Sequence, residues 1–80
     1  MQFKKFNKSI VKRIDALRKE RDLSWGKLAY ASGVAKGALS DIKNGISEAR
    51  FSTLCKIAIG LNMHPKELFD FDMDLSELDV

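Results

Sequence analysis

Helix-terminating residues recur at short intervals along this chain, and they limit each helix to a few turns. Gly33, the pair Asn44-Gly45 and Pro65 interrupt segments whose apolar residues otherwise follow helical spacing. A chain of 80 residues is long enough for one domain with a single small core. The pattern therefore predicts an all-α fold, a compact bundle of five short helices.

Apolar residues define one buried face in each predicted helix. Ile10, Ile14 and Leu17 recur at i, i+4 and i+7 in the first helix, which Asn7 or Ser9 is expected to cap. The fourth helix carries the longest apolar stripe, formed by Phe51, Leu54, Ile57, Ala58 and Leu61, and Cys55 is also assigned to the core. The five predicted helices cover about residues 8–21, 25–31, 35–43, 51–61 and 66–69.

Charge is distributed unevenly along the sequence. Residues 1–63 contain 13 basic and 5 acidic side chains, whereas residues 64–80 contain 1 basic and 6 acidic ones. A strongly basic body is the footprint expected for a polyanionic partner, although charge alone serves nucleic acid and acidic lipid equally well.

The sequence also excludes several classes of site. A single cysteine and a single histidine permit neither a disulfide nor a structural zinc site within one chain. There is no glycine-rich phosphate loop, and His64 has no obvious catalytic partners, so we expect no enzymatic activity, no cofactor and no metal. No apolar run approaches the length of a membrane span, and no secretory signal is recognised, so we expect a cytoplasmic protein.

The second and third predicted helices form a recognisable unit. They are short and are joined by a tight turn at Gly33 and Val34, and Ala29 supplies a small residue where the helices approach. This is the helix-turn-helix arrangement, in which the second helix is presented outward to fit the major groove of DNA.

The sequence from Ile14 to Phe69 resembles the phage repressor and Cro-like helix-turn-helix family, the XRE type. The landmarks appear in the family's order and spacing: L-R-x-x-R, L-S-x-x-x-L-A, G-V, S-x-I-x-N-G, T-L-x-K-I-A-x-x-L and P-x-E-L-F. The resemblance implies a five-helix, lambda-repressor-like domain over residues 1–69, followed by an acidic tail over residues 70–80. It further implies a transcriptional regulator, usually a repressor that binds double-stranded DNA as a homodimer on a palindromic operator.

By this resemblance, the base-reading face of the third helix consists of Lys36, Gly37, Ser40 and Asp41, with Lys43 near its end. Lysine can donate to guanine, serine can pair with several base edges, and aspartate can accept from cytosine. Gly37 permits only close approach. The alternative for both lysines is that they are solvated surface charges.

Four further residues are predicted to contact the DNA backbone. Trp25 occupies a position where the family commonly has glutamine; its indole N–H can donate to a phosphate, or the ring can pack against the core or a partner chain. Lys27 and Asn44 are expected near phosphates, and Asn44 also suits a helix end. Arg50 is a poor N-cap for the fourth helix, which favours a role in contact with DNA, and the resemblance implies contact with either the backbone or the minor groove.

The acidic tail leaves several alternatives open. Phe69, Phe71, Met73 and Leu75 alternate with aspartates, a period typical of a strand. The tail is predicted to be disordered, to pair with a second copy or with residues 2–6, or to compete with DNA for the basic face. A protein partner bound through the tail would make the chain an antitoxin of a toxin–antitoxin pair.

A further alternative concerns the helix-turn-helix itself. Three positions that are normally polar are occupied by Trp25, Gly37 and Ala38, which suits a protein-interaction module on the same fold.

Overall fold

The computed structural model describes residues 4–72, with side chains from Phe6 onward. Within this range the chain forms five α-helices and no β-strand, which confirms the predicted all-α fold. The helices are α1 (Lys4–Glu20), α2 (Trp25–Ser32), α3 (Lys36–Lys43), α4 (Phe51–Gly60) and α5 (Pro65–Leu68). None of these helices combines the length and the hydropathy that a membrane span requires.

Helix α1 begins at Lys4 rather than near residue 8, so the predicted caps Asn7 and Ser9 lie inside it and that prediction was wrong. Phe6 is half-buried and lies one helical turn before Ile10, so the apolar face simply continues toward the N-terminus. Because residues 4–6 are helical, they are not available as an extended strand for the tail, and residues 2 and 3 of the predicted pairing segment lie outside the described range.

The other helix ends differ from the prediction by one residue at most, because local capping determines them. The Ser24 side chain accepts a hydrogen bond from the Lys27 backbone N–H at 3.1 Å at the start of α2. Gly33 ends α2 in the left-handed region at φ 68°, and its N–H donates to the Tyr30 carbonyl. Helix α5 starts at Pro65, with His64 Nδ1 accepting from a backbone N–H.

The core is built from one apolar face of every helix. Each large aliphatic side chain in it contributes about 1.5–3 kcal/mol by leaving water. The buried apolar residues are Ile10, Ile14, Leu17, Leu28, Ala29, Leu39, Ile42, Leu54, Ile57, Ala58, Leu61 and Leu68.

Two residues of α4 assigned to the core lie at its edge instead. Phe51 is 72% exposed and Cys55 is only half-buried. The buried face of α4 contains Leu54 and Ile57, whereas Phe51, Cys55 and Ile59 follow i, i+4 and i+8 along a neighbouring row that turns toward solvent. The apolar pattern of α4 is therefore wider than the face that the other helices cover.

Helices α2 and α4 approach closely at Ser32 and Gly60. A Cβ atom at Gly60 would lie 2.9 Å from the Ser32 backbone nitrogen and would collide with the Ser32 hydroxyl oxygen. Ser32 is buried, and its hydroxyl has no hydrogen-bond partner among the described residues. A side chain at position 60 would therefore force the two helices apart.

The chain after α5 turns back onto the core. Phe69 and Phe71 are half-buried against it, whereas Asp70 and Asp72 are exposed. The predicted alternation thus corresponds to alternating burial, without a strand, as far as residue 72. The rest of the predicted acidic tail lies outside the described residues.

We predict that Gly60→Ala lowers the free energy of unfolding by about 1–3 kcal/mol, because overpacking at Ser32 outweighs the better helix propensity of alanine. Gly37→Ala is the matched control: its added Cβ meets no atom within 4 Å, so propensity alone should stabilise the protein by about 0.5–1 kcal/mol. Urea denaturation of both variants measures the difference. Equal effects of the two substitutions would contradict the close approach.

Candidate nucleic-acid interface

Helix α3 is held on the core by two residues and is otherwise open to solvent. Leu39 and Ile42 are buried, and Val34 fills the connection from α2 as predicted. The remaining residues of the helix are exposed: Lys36, Gly37, Ala38, Ser40, Asp41 and Lys43. Helix α3, the second helix of the predicted helix-turn-helix, is therefore presented outward, as expected.

The outer face of α3 carries three of the predicted base-reading residues. Gly37, Ser40 and Asp41 are spaced i, i+3 and i+4 and so share one side of the helix. Asn44, the residue that ends α3, donates from its side-chain amide to the Ser40 hydroxyl at 3.3 Å. Since that hydroxyl accepts from Asn44, its own hydrogen remains available to donate to an acceptor on a ligand.

Lys36 lies across the start of α2 instead of extending along α3. Its Cε is 3.7 Å and its Nζ 3.9 Å from the position that a Cβ on Gly26 would occupy. The first backbone N–H groups of a helix and their dipole attract anions. The Lys36 ammonium adds a full positive charge at that place.

Trp25 packs against the core and stands beside two cations. The Arg18 guanidinium carbon is 4.8 Å from the centroid of the indole ring, and Lys43 Nζ is 5.6 Å from it. Both distances are within the range of cation–π attraction, which contributes about 0.5–1 kcal/mol at exposed sites. Of the two roles considered for Trp25, packing against the core is seen in the structure. Contact with a phosphate stays a prediction.

Arg18 is fixed in place by an acidic neighbour in α1. Asp15 forms ion pairs with Arg18 at 2.5 Å and with Lys19 at 3.2 Å, and Arg18 also donates to the Leu23 carbonyl at 3.2 Å. The hydrogen bond from Lys19, with that from Arg18 and the charges of both, holds the pKa of Asp15 below its ordinary value of 3.8. Partial burial opposes this shift without reversing it.

Four of the predicted site residues meet at one pocket of about 150 Å³ between α2 and α3. Trp25, Lys36, Ser40 and Lys43 line it together with Gly26 and Leu39. The pocket combines two ammonium groups, a hydroxyl and the start of a helix, which is the chemistry that binds a phosphate or a carboxylate.

The other predicted residues do not line this pocket. Gly37 and Asp41 lie on the outer face of α3, and Lys27 is exposed on α2. Arg50 is exposed at the N-cap of α4, where its side chain makes no capping hydrogen bond, as its residue type predicted.

Sequence reasoning missed the contribution of α1 to this side of the molecule. Lys8 and Lys12 border a second pocket, of about 230 Å³, together with Asn44 at the end of α3. Their i, i+4 spacing was visible in the sequence, and it places both ammonium groups on one side of α1. The sequence could not show that α1 packs beside α3. This packing places Lys8 and Lys12 next to Lys43 of α3, so the basic surface extends onto α1.

Within residues 4–72, no cluster of three or more His, Cys, Asp or Glu side chains is arranged to hold a metal ion. The polar side chains brought together here are instead cations, a hydroxyl and amides on two short helices joined at a glycine turn. This arrangement defines a helix-turn-helix domain.

The chain belongs to the helix-turn-helix family HTH_3, which matches residues 14–68. Among solved structures it is similar to an HTH_3 family transcriptional regulator from Vibrio cholerae, with a TM-score of 0.76 and 35% sequence identity over 85% of this chain. The chain spans 38% of the length of that regulator. No curated protein sequence matches it significantly. The family and the structural similarity confirm the XRE-type assignment and support a DNA-binding regulator.

We predict that Asp15→Asn destabilises the protein at neutral pH and not in strong acid. The lowered pKa means that the folded state binds the Asp15 proton more weakly than the unfolded state does. The stabilisation is therefore complete above the ordinary pKa near 3.8 and disappears as pH falls through the lower folded value.

Thermal unfolding of the wild type and the variant from pH 7 to pH 2 measures this effect. Glu48→Gln is the control, since it removes one exposed carboxylate that forms no ion pair within the described chain. A stability difference between wild type and Asp15→Asn that stays constant across the pH range would contradict the role given to Asp15.

Proposed function

We propose that this chain is a sequence-specific transcriptional regulator that binds duplex DNA through α3, and that it acts as a dimeric repressor on a palindromic operator. The observation that carries this proposal is the outward polar face of α3, which lies beside Lys36, Lys43 and the start of α2. A helix held by two buried residues and exposed on every other side suits insertion into the major groove.

Sequence specificity would come from the outer face of α3. Ser40 donates to a base acceptor, since its oxygen already accepts from Asn44. Asp41 accepts from the amino group of a cytosine, and Gly37 lets the helix backbone approach the base edges. Lys36 is positioned over α2, so it reaches a guanine only by swinging away from Gly26 and otherwise serves a phosphate.

Affinity would come from the phosphate backbone. The Trp25 indole N–H, the exposed ammonium groups of Lys27 and Lys43, the Asn44 amide and the Arg50 guanidinium are the proposed donors. These groups lie on α2, at the end of α3 and at the start of α4, so they would position α3 between two stretches of backbone. Neutralising phosphates releases counterions, which makes such binding strongly dependent on salt.

The dimer and the repressor role follow from the family resemblance. A two-fold dimer presents two copies of α3 about 34 Å apart, one turn of B-DNA, and so matches a palindromic operator. Residues 1–69 would form the DNA-binding domain and residues 70–80 an acidic tail that begins against the core at Phe71, in a cytoplasmic protein without catalytic activity.

We predict that the logarithm of the DNA association constant falls linearly with the logarithm of salt concentration. The slope is about −4.5 if about five phosphates are neutralised. Lys27→Ala should make the slope shallower by about 0.9 and weaken binding to all sequences alike, because it removes one phosphate contact. Fluorescence anisotropy of labelled duplexes across a salt series measures both effects.

The control is Lys66→Ala, which removes the same charge from an exposed position on α5, outside the helix-turn-helix unit. It should leave the slope unchanged. A flat response of the wild type to salt would contradict the proposed function and favour a protein-interaction module on the same fold.

A further inference from the structure

A groove runs along α1 beside the C-terminal end of α3. Val11 and Ile42 form its apolar floor, and the exposed side chains of Lys8, Lys12 and Lys43 form its rim. We call this feature the α1–α3 groove. It shares lining residues with a cavity beside the loop after α3 at one end and with one beside Arg18 and Trp25 at the other.

The rim of the groove carries uncompensated positive charge. Within the described part of the chain, none of its three lysines forms an ion pair. The acidic side chains nearby lie toward the ends: Glu48 in the loop, and Asp15, which Arg18 and Lys19 already neutralise. The centre of the groove therefore favours a ligand that is both apolar and negatively charged.

The C-terminal part of this same chain has that composition. Residues 70–80 contain five acidic side chains and no basic one, and the last two acidic residues, Glu77 and Asp79, alternate with Leu78 and Val80. In an extended segment, alternating residues point to opposite sides. One side can then contact an apolar floor while the other faces a row of lysines.

We propose that residues 77–80 dock in the α1–α3 groove of their own chain and thereby restrict access of DNA to the end of α3. Leu78 and Val80, on one side of an extended segment, would contact the floor, Glu77 and Asp79 on the other side would face the lysines, and residues 73–76 would run from the core to the groove. The charges are complementary, which favours this occupant over a basic or neutral segment.

The length of the segment permits docking within the chain. Phe71 packs on the core, and α5 lies beside α1, where Arg13 donates to the Glu67 carbonyl at 3.0 Å. Arg13 and Val11 lie on nearly opposite sides of α1, so the tail must cross a helix about 10–12 Å wide. The seven residues after Phe71, as far as Leu78, span up to about 23–25 Å when extended, which is sufficient.

Covalent linkage makes weak docking effective. A short tether gives its segment a local concentration in the millimolar range, so a modest intrinsic affinity keeps the groove occupied. Since Lys43 and Asn44 belong both to the groove and to the proposed DNA interface, this consequence rests on the proposed function. A tail that occupies the groove nine-tenths of the time weakens DNA binding about tenfold.

Paramagnetic broadening in NMR spectra tests the docking without any DNA. A nitroxide is attached at Ser76→Cys in the otherwise full chain, with Cys55→Ala so that the label has one site. We expect broadening of the backbone amides of Val11, Lys12, Asn44 and Gly45, and none at Lys56 on α4. Broadening that is equal at Lys56 and in the groove, or that is missing from the groove, overturns the proposal.

Two further samples complete this test. The spectrum of the unlabelled Cys55→Ala chain, with native-like dispersion, shows that this background folds; if it does not, the label is placed in a Cys55→Ser background. A mixture of isotope-labelled chain and spin-labelled chain detects docking between molecules. Broadening of the groove in the mixture as strong as in the single chain overturns the assignment to the same chain.

DNA affinity tests the consequence. A variant with Leu78→Ser and Val80→Ser keeps every charge of the tail and loses its contacts with the floor, so docking predicts about tenfold tighter DNA binding. Unchanged affinity would mean that the tail acts through charge repulsion alone and would contradict docking. If neither protein binds DNA while the nitroxide broadens the groove, the proposed function fails and the docking stands.

Discussion

The close backbone approach of α2 and α4 at Ser32 and Gly60 fixes the helix-turn-helix on the rest of the molecule. Helix α2 is held by this approach, and Gly33 then turns the chain so that α3 starts at a defined angle. Leu39 and Ile42 complete the attachment of α3. Protein interiors are packed as densely as crystals of small organic molecules. A larger side chain at position 60 would therefore shift α2 and, through it, change the orientation of α3, although α3 does not take part in the contact.

The cationic side chains of this surface are held in position by contacts with aromatic and acidic neighbours; they do not simply extend into solvent. Asp15 orients Arg18, Arg18 and Lys43 stand over Trp25, and Lys36 lies at the start of α2. Such neighbours reduce the conformational entropy that these side chains lose on binding an anion. The same concentration of charge attracts the acidic end of the chain, so one surface serves both the proposed DNA and the proposed tail.

What could be predicted from the sequence was determined locally. Ser24, Gly33 and Pro65 act within a few residues of themselves, and the structure confirms each as a helix boundary. The exposed face of α3 also follows from its own periodicity. The start of α1, the exposure of Phe51 and the half-burial of Cys55 depend on which helices cover which face. The positions of Lys36 over Gly26 and of Lys43 beside Trp25 also depend on how α2 and α3 pack together. The spacing of these residues in the sequence does not predict either contact.

The proposed function requires two copies of α3 to read one DNA site. Selection of bound duplexes from a random pool, followed by sequencing, shows whether this happens. We expect an enriched sequence with two-fold symmetry whose half-site centres are about 10 base pairs apart, because a two-fold dimer places its recognition helices one turn of DNA from each other. Enrichment of an asymmetric sequence, or of none, would contradict the proposed function.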